Sequence, residues 1–244
     1  MIETFLKNLN IPSSCHIGRR LTKKQFLENF TLTANEKKIL SSDIEKITLA
    51  FLLNKENINI QPFLDEERDY TEIAFIVTEI KNPNRLKRIS TVIQHIPYPL
   101  IIFFVDKNRL SINISPKRIN KNDTKKLVVE ESFFTEWIEL DNLNKMEDDF
   151  LKSLQIENHP FSDFLSFYNS YLDKILAFNA SKYSGILHTN QKTKVILHEI
   201  EHCEIEIVEL RNRIKKETNF SEKVNLNIEL KRLKDKVKSL KRDI

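Results

Sequence analysis

Glycine is nearly missing from this chain: its 244 residues hold only Gly18 and Gly185. Backbone amides approach a phosphate closely only where several glycines share a short window, as in a Walker loop or a dinucleotide fingerprint. Neither can be built here, and a G-x-S-x-G nucleophile elbow is absent for the same reason. Cysteine is as scarce. Cys15 and Cys203 are far apart and neither belongs to a Cys-x-x-Cys pair, so no disulfide framework is expected. That usage fits a reducing cytoplasm. Long apolar runs are also lacking. The longest, Leu100 to Val105, falls far short of the ~20 residues that span a bilayer. The N-terminus has no basic stretch followed by an apolar one, so neither a signal peptide nor a membrane partner is expected. A net charge of +4 permits nucleic acid without demanding it.

The clearest positive feature is a pair of heptad seams near the C-terminus. Ile196, Ile200, Cys203, Ile207, Leu210 and Ile214 recur in steps of four and three. Leu226, Leu230, Leu233, Val237, Leu240 and Ile244 repeat the pattern. Such spacing lays an apolar stripe along one side of a helix. The first helix carries Glu199, Glu201, Glu204, Glu206 and Glu209, and the second Lys231, Arg232, Lys234, Lys236, Lys238, Lys241 and Arg242. Opposite charge predicts that the two helices pair. The seams are out of phase, and Asn219 with Glu222 can start a new helix between them. An antiparallel hairpin is therefore expected, although a continuous helix with a stutter stays open because no glycine or proline enforces the break. Leu226, Leu230, Leu233, Val237 and Leu240 are the candidate contact residues, toward the first seam or toward another helix.

Residues 1–20 read as an irregular arm. Thr22 caps a short helix, and Thr33 with Glu36 forms a capping box for a helix running to about Leu53, with Ile39, Leu40, Ile44, Ile47 and Phe51 at helical spacing. From Glu72 to Lys81 both faces of a strand are apolar, which predicts a central position. A helix after Asn82-Pro83-Asn84, a break at Pro97-Tyr98-Pro99, and strands at Leu100 to Val105 and Leu110 to Ser115 complete a β-α-β-β core. Ser162 is expected to cap an apolar helix through Phe178. The predicted fold is α+β: a small mixed sheet with covering helices, then a C-terminal antiparallel hairpin of coiled-coil type. The expected divisions are residues 1–55 (arm and helices), 56–180 (core) and 190–244 (hairpin).

Several constellations could carry chemistry. His198-Glu199-Ile200-Glu201-His202 spells a zincin helix, but Ile200 lies on the seam, so both histidines should face solvent. No metal is assigned there. Glu79 and Lys81 end a strand on one face, downstream of Asp65, Glu66, Glu67 and Asp69. Nucleases of the PD-(D/E)xK type hold a divalent cation such as magnesium with two carboxylates and steady the attacking water with a lysine. Asp65, Asp69, Glu79 and Lys81 are the candidates for that alternative. Lys117, Arg118, Lys121, Lys125 and Lys126 form the densest basic patch, with Arg85, Lys87 and Arg88 as a second. Either could neutralise phosphates; a solvated loop is the plainer reading. Adjacent Cys15 and His16 seldom face each other and are set aside. His95, His159 and His188 stand singly and read as structural.

Asp43-Ile-Glu-Lys-Ile47, Ile58-Asn-Ile60, Ile96-Pro-Tyr-Pro99, Lys117-Arg-Ile-Asn120 and the stretch Lys216 to Lys231 resemble a bacterial family of unknown function, numbered 4391, over nearly the whole chain. The resemblance implies no enzymatic activity and no catalytic residues. It implies association with the DNA methyltransferase and helicase genes of restriction-like defence loci. The expected role is that of a non-catalytic adaptor without a cofactor, docking a methyltransferase or helicase subunit, with DNA contact direct or indirect and homo-oligomers possible.

Overall fold

The computed structural model describes residues 1–187 and 192–244, and at 124 and 125 the backbone alone. His188 therefore lies outside the described residues, as does the side chain of Lys125. The order begins with helix α1 (Ile2–Asn8), strand β1 (His16–Leu21), helices α2 (Lys23–Asn29) and α3 (Ala34–Ser42), and strand β2 (Ile44–Asn54). Short strands β3 (Phe63–Leu64) and β4 (Asp69–Tyr70) precede β5 (Glu72–Ile80), α4 (Leu86–Ile93), β6 (Leu100–Asp106) and β7 (Arg109–Ile114). A hairpin of β8 (Lys117–Asn120) and β9 (Asp123–Val129) follows, then β10 (Phe133–Phe134), β11 (Ile138–Glu139), α5 (Lys145–Ser153) and α6 (Phe164–Ser184). The last helices are α7 (Thr193–Lys216) and α8 (Phe220–Leu240). Two compact units result, Met1–Ile175 and Leu176–Ile244.

The first unit is built on one mixed sheet of order β1-β2-β5-β6-β7-β10, with β11 also on β7. Strand β5 pairs antiparallel with β2 and parallel with β6, and the other pairs in this sheet are antiparallel. Its central place follows from its two apolar faces. Ala74, Ile76 and Ile80 join Ile102, Phe104, Ile89 and Val92 under α2, α3 and α4. On the other face Phe75 meets Phe51, Phe103 and Tyr171, with ring centroids 5.7 to 6.1 Å apart. Phe5 of α1 packs on Phe103 at 5.2 Å.

Capping fixes the helix starts. Thr22 with Gln25, Thr33 with Glu36 and Asn144 with Glu147 form complete capping boxes. For α6 the cap is Asp163, not Ser162: its carboxylate accepts from the Ser166 amide at 2.7 Å.

The helix expected to run to Leu53 stops at Ser42, and residues 44–54 are strand β2. Register shifts between Ile44 and Lys46 and between Leu49 and Phe51 explain the misreading. Each bulge moves the phase by one residue. Buried positions fall at 44, 47, 50, 51 and 53, and the first four of these imitate a helical spacing. Residues 1–20, expected as an irregular arm, are ordered into α1 and β1, and β1 and β2 belong to the sheet. Edge strand β1 carries its own register shift between His16 and Arg19, with Gly18 at φ +60°.

In the second unit α7 and α8 join their seams. Ile200, Cys203, Ile207, Leu210, Leu226, Leu230 and Val237 form one buried cluster, edged by Tyr183, Ile196, Ile214, Leu233, Leu240 and Ile244. Residues 217–219 link the helices, a connection that reaches at most about 14 Å. A helix of 24 residues is roughly 36 Å long, so side-by-side packing has to be antiparallel. Glu199 pairs with Lys236 at 2.6 Å and Glu204 with Lys241 at 3.0 Å, so opposite charge joins the two helices as the sequence predicts.

Truncating Phe75, which is fully buried against three aromatic rings, should cost about 3–5 kcal/mol. Urea unfolding of Phe75→Ala against wild type measures this, and a loss below 1 kcal/mol, on the order of a surface change, would contradict the packing described.

Candidate functional site

The four residues of the nuclease pattern are not brought together. Asp65 accepts from the amides of Glu67 and Arg68 in the turn between β3 and β4. Asp69 accepts from Thr71. Both lie before the start of β5, whereas Glu79 lies near its far end, roughly 23 Å along the strand. Glu79 is bound to Lys46 at 3.1 Å, and the Lys81 amide donates to the Asp43 carbonyl. Among the described residues no three His, Cys, Asp or Glu side chains are grouped to hold a metal ion. His198 and His202 are exposed on α7, as the seam dictates.

The basic run from Lys117 divides. Arg118 bonds the Ile119 carbonyl, Lys121 is exposed, and Lys126 pairs with Asp123 at 2.8 Å. Lys117 departs from the surface patch altogether: it is 1% exposed. Its Nζ donates to the carbonyls of Gln94 at 3.0 Å and Ile96 at 2.7 Å, just past the end of α4. Its amide donates to Tyr70 Oη, which donates in turn to the Lys117 carbonyl. Burial pushes the Lys117 ammonium down to about 7 and the Tyr70 phenol up to about 12.

Beside this lysine runs a polar network under α4. Asn113 accepts from Ser90 at 2.9 Å and Gln94 at 3.2 Å, and donates to the Phe133 carbonyl at 2.9 Å. Ser115 bonds Ser132 at 2.9 Å. Gln94 and Ser132 also line a cleft of about 870 Å³, walled by Phe30, Ile96, Pro97, Leu127 and Val129. On its wall His95 Nε2 meets Glu36 Oε1 at 2.9 Å. Glu36 is already the capping carboxylate of α3. It is held below the usual carboxylate range because bonds from His95 and Thr33 outweigh the larger single effect of burial. A carboxylate-oriented imidazole in a cleft can donate, accept or relay a proton. His95 reads as solitary in sequence because its partner lies 59 residues away. The one available signal was Glu36 itself, which the capping pattern already accounts for.

At the carboxyl end of β5 lies a basic pocket of about 650 Å³, lined by Asn82, Asn84, Arg85, Leu86, Lys87, Arg88 and Phe134. Arg85 is tied to buried Asp43 at 3.0 Å. Lys23 Nζ donates to the Ser41 and Ile44 carbonyls, and its pKa is lowered first by burial and then by Lys81 and Arg20, with Glu45 acting in the opposite direction. In the hairpin, the candidate contact residues Leu226, Leu230 and Val237 are buried, and Leu233 and Leu240 partly buried, against α7 of the same chain. Their partner is internal.

A family model described as "Domain of unknown function (DUF4391)" matches residues 9–237. The chain belongs to this family. Among curated proteins and solved structures no match is found. Family membership brings no assigned chemistry to Lys117, Glu36 or His95, so their roles rest on the geometry above.

A lysine lowered in the folded state binds its proton more tightly when unfolded. Between pH about 7 and 10.5 the unfolded chain therefore holds the extra proton, and the Lys117 contribution to stability rises with pH. Relative to Lys117→Met, wild type should gain stability between pH 7 and pH 9.5, a window inside those limits. Urea midpoints of both proteins across this range test it, and a constant difference would show that the ammonium is not desolvated as described.

Proposed function

We propose that the chain is a non-catalytic accessory subunit of a bacterial DNA-directed complex, of restriction-modification or antiphage type, acting in the cytoplasm through protein contacts. The observation that carries this reading is the outer surface of the hairpin. Its inner seam is closed by its own two helices, yet Ile205, Val208, Phe220, Val224 and Ile228 remain exposed, Phe220 at 80%. Phe220, Val224 and Ile228 recur every four residues along α8 as an exposed apolar stripe, and such a stripe supports a contact surface. The heptad spacing of the seam supports its reading as a coiled coil. A rigid pair with free outer faces suits an adaptor that holds other proteins, and such a role needs no cofactor.

The basic pocket at the end of β5 supports a direct DNA contact. Arg85, Lys87 and Arg88 line it, and Lys23, bonded to the Ile44 carbonyl, and Lys81 lie toward the same end of the sheet, with Glu45 beside them. The expected partner is a DNA methyltransferase or helicase subunit.

Two measurements test the role. Purification of the tagged chain from its native host, followed by mass spectrometry, should return a methyltransferase or helicase at near-stoichiometric yield. Repeated recovery without any nucleic-acid enzyme would remove the accessory reading. Duplex DNA affinity of the purified chain should fall linearly in log–log form with added salt, and Lys87→Glu with Arg88→Glu should weaken it and flatten the slope. Wild-type and doubly reversed protein behaving alike would remove the DNA contact while leaving the protein contacts standing.

A further inference from the structure

The cleft that holds Glu36 and His95 has no part in the hairpin contacts, and the polar side chains that line it share one property: their donors are spent inside the protein. Asn29 Nδ2 donates to the Gln25 carbonyl at 2.8 Å, and Thr91 Oγ1 to the Lys87 carbonyl at 3.1 Å. Gln94 Nε2 donates to Asn113 at 3.2 Å. Glu36 is held as an ionised carboxylate, so the His95 nitrogen that faces it at 2.9 Å carries a proton. Each of these side chains keeps an acceptor that has no partner among the described residues: Asn29 Oδ1, Thr91 Oγ1, Gln94 Oε1 and, in the neutral ring, His95 Nδ1. Gln94 Oε1 is buried in that state, a cost that an added donor would remove. The ammonium on the wall, Lys126, is committed to Asp123 at 2.8 Å.

Spare acceptors call for a ligand that donates. Guanidinium is planar and always charged, and it has five N–H donors and no acceptor. It also stacks on aromatic faces. Phe30, half-buried on the wall and braced by Phe26 at 5.2 Å, supplies such a face, and its ring stands 6.1 Å from that of His95. Leu127 and Val129 offer an apolar wall to a methylene stem. We propose that this cleft binds an arginine side chain presented by a partner polypeptide. At about 870 Å³ it is large enough for a drug-sized ligand, so residues flanking the arginine are accommodated with it. The proposal deepens the accessory reading given above and rests on it: it gives the partner a chemistry and places one contact on the first unit.

Isothermal titration of the purified full chain with the blocked tripeptide acetyl-Leu-Arg-Leu-amide is the test. Binding should saturate. The same peptide with citrulline, in which a carbonyl replaces one nitrogen of the guanidinium, should bind at least about tenfold more weakly. So should the peptide with lysine, whose ammonium is neither planar nor forked. Phe30→Leu removes the stacking face, and Thr91→Lys brings a cation to the exposed rim; each should weaken binding at least about tenfold. Circular dichroism confirms the fold, and should Phe30→Leu lose it, Thr91→Lys decides. No binding of the arginine peptide, equal binding of the arginine and citrulline peptides, or binding untouched by these substitutions overturns the proposal. So does acetyl-arginine-amide binding as tightly as the tripeptide, which would assign the cleft to a free guanidino compound. A chain that retrieves a methyltransferase or helicase from its host yet ignores the arginine peptide loses this inference and keeps the accessory role, so the two failures are distinguishable.

Discussion

Burial of β5 on both faces is the constraint on which the rest of the first unit depends. A strand with Ile73, Phe75 and Val77 on one side and Ala74, Ile76 and Ile80 on the other is stable only with neighbours at both edges and cover above and below. The parallel partner β6 requires a crossover, and α4 provides it. Where α4 begins and ends then decides where the polar groups stand. Its start carries Arg85, Lys87 and Arg88 to the carboxyl end of β5, where open sheets of this kind usually bind ligands. Its end presents the carbonyls that Lys117 seals, beside the cleft that holds Glu36 and His95. One apolar strand thus places both polar sites.

The second unit depends on an electrostatic division of labour. Glutamates in the middle of α7 pair with lysines of α8, while the two seams remove apolar area from water. The exposed ion pairs are individually weak. Their value lies in orientation and partner choice, which is how charge acts along helical seams. Because the seams saturate one another, the chemistry left for other molecules is confined to the outer faces.

Legibility in the sequence followed the physics of range. The caps at Thr22, Thr33 and Asn219 involve residues three apart, and the structure has helices starting where they indicate. The two-faced pattern of β5 and the heptad seams are equally local. Strand β2 was not legible, since two bulges gave its buried residues a helical rhythm that only pairing with β1 and β5 overrides. Lys117 was misplaced because it opens a run of bases; nothing nearby in sequence reports Tyr70, Gln94 and Ile96 closing around it. Asp163 and Ser162 are adjacent residues of capping type, so local pattern alone could not choose between them. The Glu36–His95 pair needed two helices to meet before it existed.

Gly18 has a consequence for how copies of the chain meet. Gly18 holds β1 in a left-handed kink at φ +60°, a conformation that residues with side chains adopt only at a strain. Such a kink bends the open margin of a sheet out of line, and a bent margin is a poor template for a foreign strand. Uncontrolled cross-β aggregation is thereby discouraged at the β1 margin.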